Sequence, residues 1–477
     1  MISVTPYGGV NEIGGNKIAL EIGETRLLLD FGVSFGRMSK FFDLLFHRPS
    51  SIRQLIDLGI IPDISGLYSR SVESGRPSAD LDPCPPFDAL FISHAHMDHI
   101  GHISLLSRRL KVYMGVCTKI ILDAISNYTY SKSFDRNYSN LDIHTFRSYD
   151  RINIGSVDVI PIHVDHSIPG SYGFIIETNE GSVIYTGDLR HHGTSHLITD
   201  FIKHVAKRDN IKALIVETTH ADYSGYTSES EVMNKIGEIA GRFDGNILVD
   251  FSRTDYDRFF SVFEAAKRSG RTLLVDVKRV YIMEKISCCP NLSKRVTMDD
   301  PNILFYINKK RFSTSIRPWL ERFIEQYRDK IFVTDRIISS IPSYIVSSLE
   351  KPKPLSNLLK EEYGRLMIIT PSSFPSDIMD IVRGGEIYIL ASSEPYDEES
   401  EIGFERLRNW LEYYGIPIYH IHSSGHITPL DLKKLIETIN PEYIVPIHGE
   451  RPRLLKRFIG GKYRWLFPEL GEKIEIT

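Results

Sequence analysis

The 477-residue sequence is poor in cysteine, with only Cys84, Cys117, Cys288 and Cys289 and no CxxC pair. Cysteine-built zinc sites and the disulfide framework of a secreted protein are thereby excluded, and a reducing cytoplasm is the expected compartment. The opening MISVTPYGGVNEIGG has neither a basic start nor a long apolar segment, so no signal peptide is predicted. No apolar run reaches the ~18–20 residues that a membrane span needs, and no membrane association is expected. An excess of charge is missing too. Lys+Arg 57 against Asp+Glu 61 leaves a net charge of −4, which excludes a uniformly basic binder and leaves room for a local basic groove. Internal repeats and low-complexity tracts are absent. What remains is a globular composition, 42% hydrophobic and 25% charged, in a chain long enough for two domains or one large domain with insertions.

Apolar runs punctuate the chain. Lys17–Ile22 and Arg26–Asp30 alternate like paired strands about a Gly-Glu turn. Residues 36–86 read as a long irregular surface loop rich in Pro, Ser and Gly. DALFIS, VDVIPIHVD, SVIYTG and IKALIVE each read as a strand that runs into polar residues, the way α/β scaffolds place their sites. From about residue 225 the texture becomes helix–strand alternation, as in a parallel sheet: SESEVMNKIGEIAGRF, GNILVDF, DYDRFFSVFEAAKRSG, RTLLVDV. Residues 300–365 give no clear pattern beyond scattered basic groups.

The decisive segment is His94-Ala95-His96-Met97-Asp98-His99, directly after an apolar strand. Four donors within six residues are costly to bury without a cation. Imidazole and carboxylate together suit zinc, or less specifically manganese or iron. One loop cannot complete a two-metal site, and His166, Asp188, His426 and His448 are the downstream candidates, most of them just after an apolar strand.

This pattern, with Asp30 at the end of RLLLD, resembles the metallo-β-lactamase fold, a four-layer αββα sandwich around a two-metal site. The resemblance implies two zinc ions. His94, His96 and His166 would hold one and Asp98, His99 and His448 the other, with Asp188 bridging and Asp30 orienting a ligand from behind. Asp188 and His448 stand 260 residues apart (188 to 448), room for a whole inserted α/β domain. The insertion resembles the β-CASP nucleases, with Glu217, His426 and His448 at their three extra motifs. GGVNEIGGN, DHSIPGSYG, SSEP at 392–395, SSGH and IHGE are similar to ribonuclease J, of an archaeal type without the C-terminal domain. VETTH departs from that pattern by placing His220 where a small residue is expected. The expected organisation is residues 1–222 for the first part of the metallo-β-lactamase domain, 223–400 for the inserted β-CASP domain and 401–477 for the return.

The activity implied is hydrolysis of RNA phosphodiester bonds, 5′ to 3′ with an endonuclease capacity, in RNA processing and decay. Asp98, Asp188, His426 and Glu217 would be its catalytic groups. A terminal phosphate would meet Ser423, Ser424 and Gly425, with Ser252 and Arg253 of DFSRTD. The basic runs Arg108–Lys111, Lys267–Arg271, Lys309–Arg311 and Arg451–Arg457, interleaved in places with aromatics, are candidates for a single-strand groove. Single-stranded RNA is the expected partner, in a chain that the resemblance allows to dimerise. The alternatives are a β-CASP nuclease acting on DNA and a hydrolase of small esters or phosphodiesters on the same fold.

Overall fold

The computed structural model describes residues 1–42, 47–70, 82–128, 138, 140–194, 197–222, 225, 227–289, 292, 296–308, 312–370, 379–393 and 398–477. Contacts divide the chain into two compact units. The first comprises Met1–Leu122, Ser131–Tyr226 and Gly425–Thr477, and the second Asp123–Tyr130 and Thr227–Ser424.

The first unit is built on two seven-stranded sheets. One runs Ile474–Ile476, Ile2–Gly8, Lys17–Ile22, Thr25–Leu29, Ala89–Ile92, Lys111–Gly115 and Asp142–Phe146 in spatial order. The other runs Arg464–Trp465, Tyr443–Ile447, Ile211–Glu217, Gly181–Tyr185, Ser171–Thr178, Val157–Val164 and Ile152–Ile154. Each is antiparallel in one half and parallel in the other.

Period-two alternation explains the layering, because successive side chains leave opposite faces of a strand. Leu27, Leu29 and Phe91 point inward, where they meet Phe174, Ile176, Val183 and Ala213 of the second sheet. Their neighbours Leu28, Leu90 and Ile92 point outward and are covered by Ile100, Ile103 and Leu122. On the far side Ile184 and Leu214 are covered by Phe201, Val205, Leu432, Leu435 and Leu455 from helices. Both faces of both sheets are buried, which is why the strands read as continuous apolar runs. The result is the four-layer αββα sandwich expected from the sequence.

The second unit carries one eight-stranded sheet whose neighbouring strands all run parallel. Its helices begin at explicit caps. Ser228 and Glu231 form a reciprocal capping box for Glu229–Arg242, and Asp255 caps Tyr256–Arg268. The unit extends to Ser424, beyond the expected end at residue 400, because Leu407 and Leu411 pack into its core and strand Ile418–His420 pairs with Ile387–Leu390.

Two segments differ from their reading in the sequence. Within 36–86, the described residues hold helix Ile52–Asp57, whose Ile52 and Leu55 join Met38, Phe42, Ile60 and Ile61 in a small core of their own. Within 300–365 lie strands Ile303–Ile307, Ile331–Val333 and Lys353–Pro354 with the helices between them. Residues 71–81, the basic run Lys309–Arg311 and the second half of SSEP lie outside the described residues. Among the described residues, no helix is long and apolar enough to cross a membrane.

Candidate metal centre

In the first unit, strand ends deliver the site. His94 and His166 each stand two residues after a strand, ending at Ile92 and Val164, and Asp188 stands three after Tyr185. Glu217 is the last residue of its strand, and His448 follows Ile447 directly. The segment Met97–Ile100 turns into one short helix, which separates Asp98 and His99 from His94 and His96.

Three groups of donors converge, each with its atoms within 4.8 Å of one another: His94, His96 and His166; Asp98, His99, Asp188 and His448; Glu217, His426 and His448. In the first, His94 Nε2 and His166 Nε2 each lie 3.0 Å from His96 Nδ1. In the second, His448 Nε2 lies 3.1 Å from Asp98 Oδ2, and His99 Nε2 lies 3.1 Å from Asp188 Oδ2. Asp188 Oδ2 is also 3.8 Å from both His94 Nε2 and His166 Nε2, so one carboxylate oxygen faces both groups. Asp30, Asp188, His94, His99 and His448 are essentially without solvent exposure.

The electrostatics are those of a cation site. Burial, with the neighbouring imidazoles, holds His94 well below its ordinary range. Burial does the same for His166 and brings His96 down to about 4. These rings are neutral and keep their lone pairs, the form a metal ligand needs. Burial opposes ionisation of Asp188, but His448 and His99 overcome it and hold the carboxyl well below the usual range. Asp188 Oδ1 is buried with no hydrogen-bond partner among the described residues. A buried, ionised carboxylate with an unsatisfied oxygen, facing neutral imidazoles, fits divalent cations.

The support behind these donors is specific. Asp30 accepts from the Ser93 N–H at 2.7 Å and its hydroxyl at 2.8 Å. It also accepts from Tyr185 Oη at 2.5 Å and lies 2.8 Å from His99 Nδ1, which fixes the His99 tautomer and leaves Nε2 for the centre. Two glycines are required by close approach. A Cβ at Gly32 would stand 1.7 Å from the Asp98 carbonyl oxygen, and one at Gly14, where φ is +80°, would stand 2.8 Å from Asp98 Cβ. His448 adopts φ 52°, a left-handed conformation held by its N–H donating to the Gly9 carbonyl at 2.7 Å. Such a conformation costs a non-glycine residue on the order of 1–3 kcal/mol, which the surrounding structure must offset.

Beside the two cation groups, His426 Nδ1 lies 3.1 Å from Glu217 Oε2. Burial disfavours its protonation, but Glu217, Asp188 and Asp98 outweigh that and raise it to about 9. His426 is therefore an imidazolium at neutral pH. Sequence reading missed Thr219, whose hydroxyl lies 3.2 Å from His426 Nδ1 and 2.9 Å from His448 Nδ1. Its signal was the unusual VETTH, in which His220 stands out by residue type, its ring 5.9 Å from that of His426. Ser93 and Tyr185 were missed as well; the first directly precedes the histidine run.

Residues 61–226 match the model of the beta-lactamase superfamily domain, and residues 416–456 match the Zn-dependent metallo-hydrolase RNA specificity domain. The chain has the metallo-β-lactamase fold and is similar to ribonuclease J. It is 25% identical to ribonuclease J of Sinorhizobium meliloti, over 94% of this chain and 69% of that one. Ribonuclease J of Thermus thermophilus is 23% identical over 100% of this chain and 72% of its own length. Ribonuclease J2 of Bacillus subtilis is 24% identical over 94% and 69%. A crystal structure of an Enterococcus faecalis protein of unknown function shares the fold, with a TM-score of 0.71 and 20% identity over 99% of each chain.

The residues assigned to a terminal phosphate are distributed differently from the ligands. Gly425 belongs to the first unit, and its carbonyl lies 2.5 Å from His166 Nδ1. Ser252, Arg253, Ser423 and Ser424 belong to the second. There Ser252 follows strand Ile247–Asp250, and the Ser423 carbonyl accepts from Arg258 at 3.2 Å.

Proposed function

We propose that the chain is a zinc-dependent ribonuclease that hydrolyses phosphodiester bonds of single-stranded RNA in the cytoplasm. It would work from the 5′ end and retain an endonuclease capacity. The observation that carries this reading is Asp188 Oδ2, which faces both ligand groups beside a protonated His426. His94, His96 and His166 would hold one cation, and Asp98, His99 and His448 the other, with Asp188 shared. Bound there, zinc or in its place manganese would supply Lewis acidity to the phosphate and lower the pKa of a water toward neutral pH.

The chain's own groups do the rest. Nδ1 of His426 is engaged by Glu217, and the Nε2–H of that imidazolium would donate to a phosphate or leaving oxygen as charge develops there. Glu217 keeps that imidazole charged and fixes its orientation. In the second unit, the hydroxyls of Ser252, Ser423 and Ser424 and the Arg253 guanidinium are assigned to the 5′-monophosphate. A homodimer belongs to the same proposal.

The test is degradation of 3′-labelled single-stranded RNA carrying a 5′-monophosphate, beside matched 5′-triphosphate RNA and DNA oligonucleotides, with and without added zinc or manganese. Metal-dependent release of nucleotides from the 5′ end of the monophosphate RNA is the expected result. Preferential loss of DNA would move the assignment to a β-CASP DNA nuclease. No cleavage by metal-replete protein would move it to small esters or phosphodiesters.

A further inference from the structure

Two helices of the first unit leave the metal centre side by side in sequence logic. Pro429–Ile439 begins three residues beyond His426, and Pro452–Ile459 begins four beyond His448. Each buries one face. Leu432 and Leu435 of the first join Leu455 of the second in the core under the outer helical layer. The opposite face of Pro452–Ile459 presents Arg453, Lys456, Arg457 and Phe458 to solvent and carries no acid.

The cations here are arranged in an unusual way. The flanking Lys434 and Arg451 pair with Asp431 and Asp222. Lys433, Arg453, Lys456 and Arg457 have no ion pair among the described residues. Three of them lie over aromatic rings instead, and Arg457 is exposed on the same helix as Arg453 and Lys456. The Arg453 guanidinium lies 4.7 Å and Lys456 Nζ 5.7 Å from the Phe467 ring centre, and Lys433 Nζ lies 5.2 Å from that of Phe458. Phe458 stays 48% exposed. A cation left without a carboxylate costs little in water, but four of them on two neighbouring helices, with the exposed ring of Phe458 among them, make a face complementary to a polyanion that also carries flat apolar groups. On helix Pro429–Ile439 the carboxylate of Asp431 is buried, which leaves Glu437 as the one exposed acid of either helix.

We propose that this two-helix face is a docking surface for single-stranded RNA outside the metal centre. Phosphates would meet Lys433, Arg453, Lys456 and Arg457, and a base would stack on Phe458. The inference rests on the ribonuclease reading and deepens it, by giving the strand a second hold on the same unit. A metal centre alone engages one phosphodiester; a basic and aromatic surface next to it in the chain makes affinity depend on strand length and on salt.

The test is fluorescence anisotropy of a labelled oligoribonucleotide with the full chain in chelator, which prevents cleavage, across a salt series. Each phosphate contact on a single strand contributes about 0.7 to the slope of log K against log salt. Replacing Arg453, Lys456 and Arg457 together by Ala is expected to flatten that slope by about 2 and to weaken binding at least tenfold. Phe458→Ala should weaken binding with the slope unchanged. Arg453→Lys with Arg457→Lys keeps the charge and should keep the slope, with the melting temperature and zinc uptake of each variant reporting its fold. Equal affinity and equal slope for the triple Ala variant and the parent overturn the docking surface alone, and would leave that face to a protein partner. A parent chain that binds no RNA in chelator overturns this inference, whereas the ribonuclease reading falls only if the metal-replete chain cleaves no RNA.

Discussion

Thr219 and His448 are joined twice: the Thr219 hydroxyl oxygen lies 2.9 Å from His448 Nδ1 and donates to the His448 carbonyl at 3.1 Å. A hydroxyl has one proton. With that proton on the carbonyl, Thr219 accepts from Nδ1–H, which places the His448 lone pair on Nε2, the nitrogen 3.1 Å from Asp98. The same oxygen is 3.2 Å from His426 Nδ1, so one threonine sets a ligand tautomer and touches the imidazolium beside it.

Thr219→Val keeps the volume and removes the hydroxyl. Loss of such an orienting contact costs roughly 10–100-fold in metal affinity, and that is the expected fall in zinc affinity by competition titration. Thr219→Ser should restore most of it. A Val variant that binds zinc as the parent does would remove Thr219 from the positioning of His448.

Asp188 and His426 should separate metal binding from chemistry. Asp188→Ala removes the oxygen that faces both groups, and both metal content and activity are expected to vanish. His426→Ala leaves every assigned ligand in place. Zinc content by elemental analysis should then match the parent, while kcat on RNA falls by about 10²–10⁴. Full activity in His426→Ala would show that another group donates to the developing charge.

Legibility in the sequence follows a physical divide. Strands buried on both faces, such as Ala89–Ile92, announce themselves as apolar runs, and His94 to His99 place four donors within one turn of chain. Side chains that act through space leave no such mark. Ser93, Thr219 and Tyr185 are common residue types whose hydroxyls matter because strands distant in sequence bring Asp30 and His448 to them. Residues 300–365 were obscure because strands Ile331–Val333 and Lys353–Pro354 are too short for periodicity to register. The extension of the second unit to Ser424 rests on the packing of Leu407 and Leu411 into its core and on the pairing of Ile418–His420, contacts that no local signal reports.

Gly32→Ala should fail for a reason confined to one atom. The added Cβ would sit 1.7 Å from the Asp98 carbonyl oxygen and 2.4 Å from the His99 N–H, both backbone. The loop carrying Asp98 and His99 must shift. On the proposed two-zinc assignment, the expected outcome is loss of the ion given to Asp98, His99 and His448, with that given to His94, His96 and His166 less affected, read as a halved zinc stoichiometry and a lowered melting temperature. Unchanged stoichiometry would show that the loop can yield without moving its ligands.

Asp250 offers a pH test within the second unit. It ends strand Ile247–Asp250 in the second unit, accepts from Tyr388 Oη at 2.8 Å, and burial raises its carboxyl to about 6. In the unfolded chain it titrates near its ordinary 3.8. Between those values the folded chain binds more protons than the unfolded one, so stability falls as pH rises from about 4 to 6 and is flat, for this group, above and below. At about 1.4 kcal/mol for each pH unit of displacement, the effect is on the order of 3 kcal/mol. Asp250→Asn keeps an acceptor for Tyr388 and cannot ionise. Denaturant midpoints measured in chelator at pH 4.5 and 7 should therefore drop less in the variant than in the parent. Parallel pH profiles would mean that Asp250 ionises in the folded chain as it does in water.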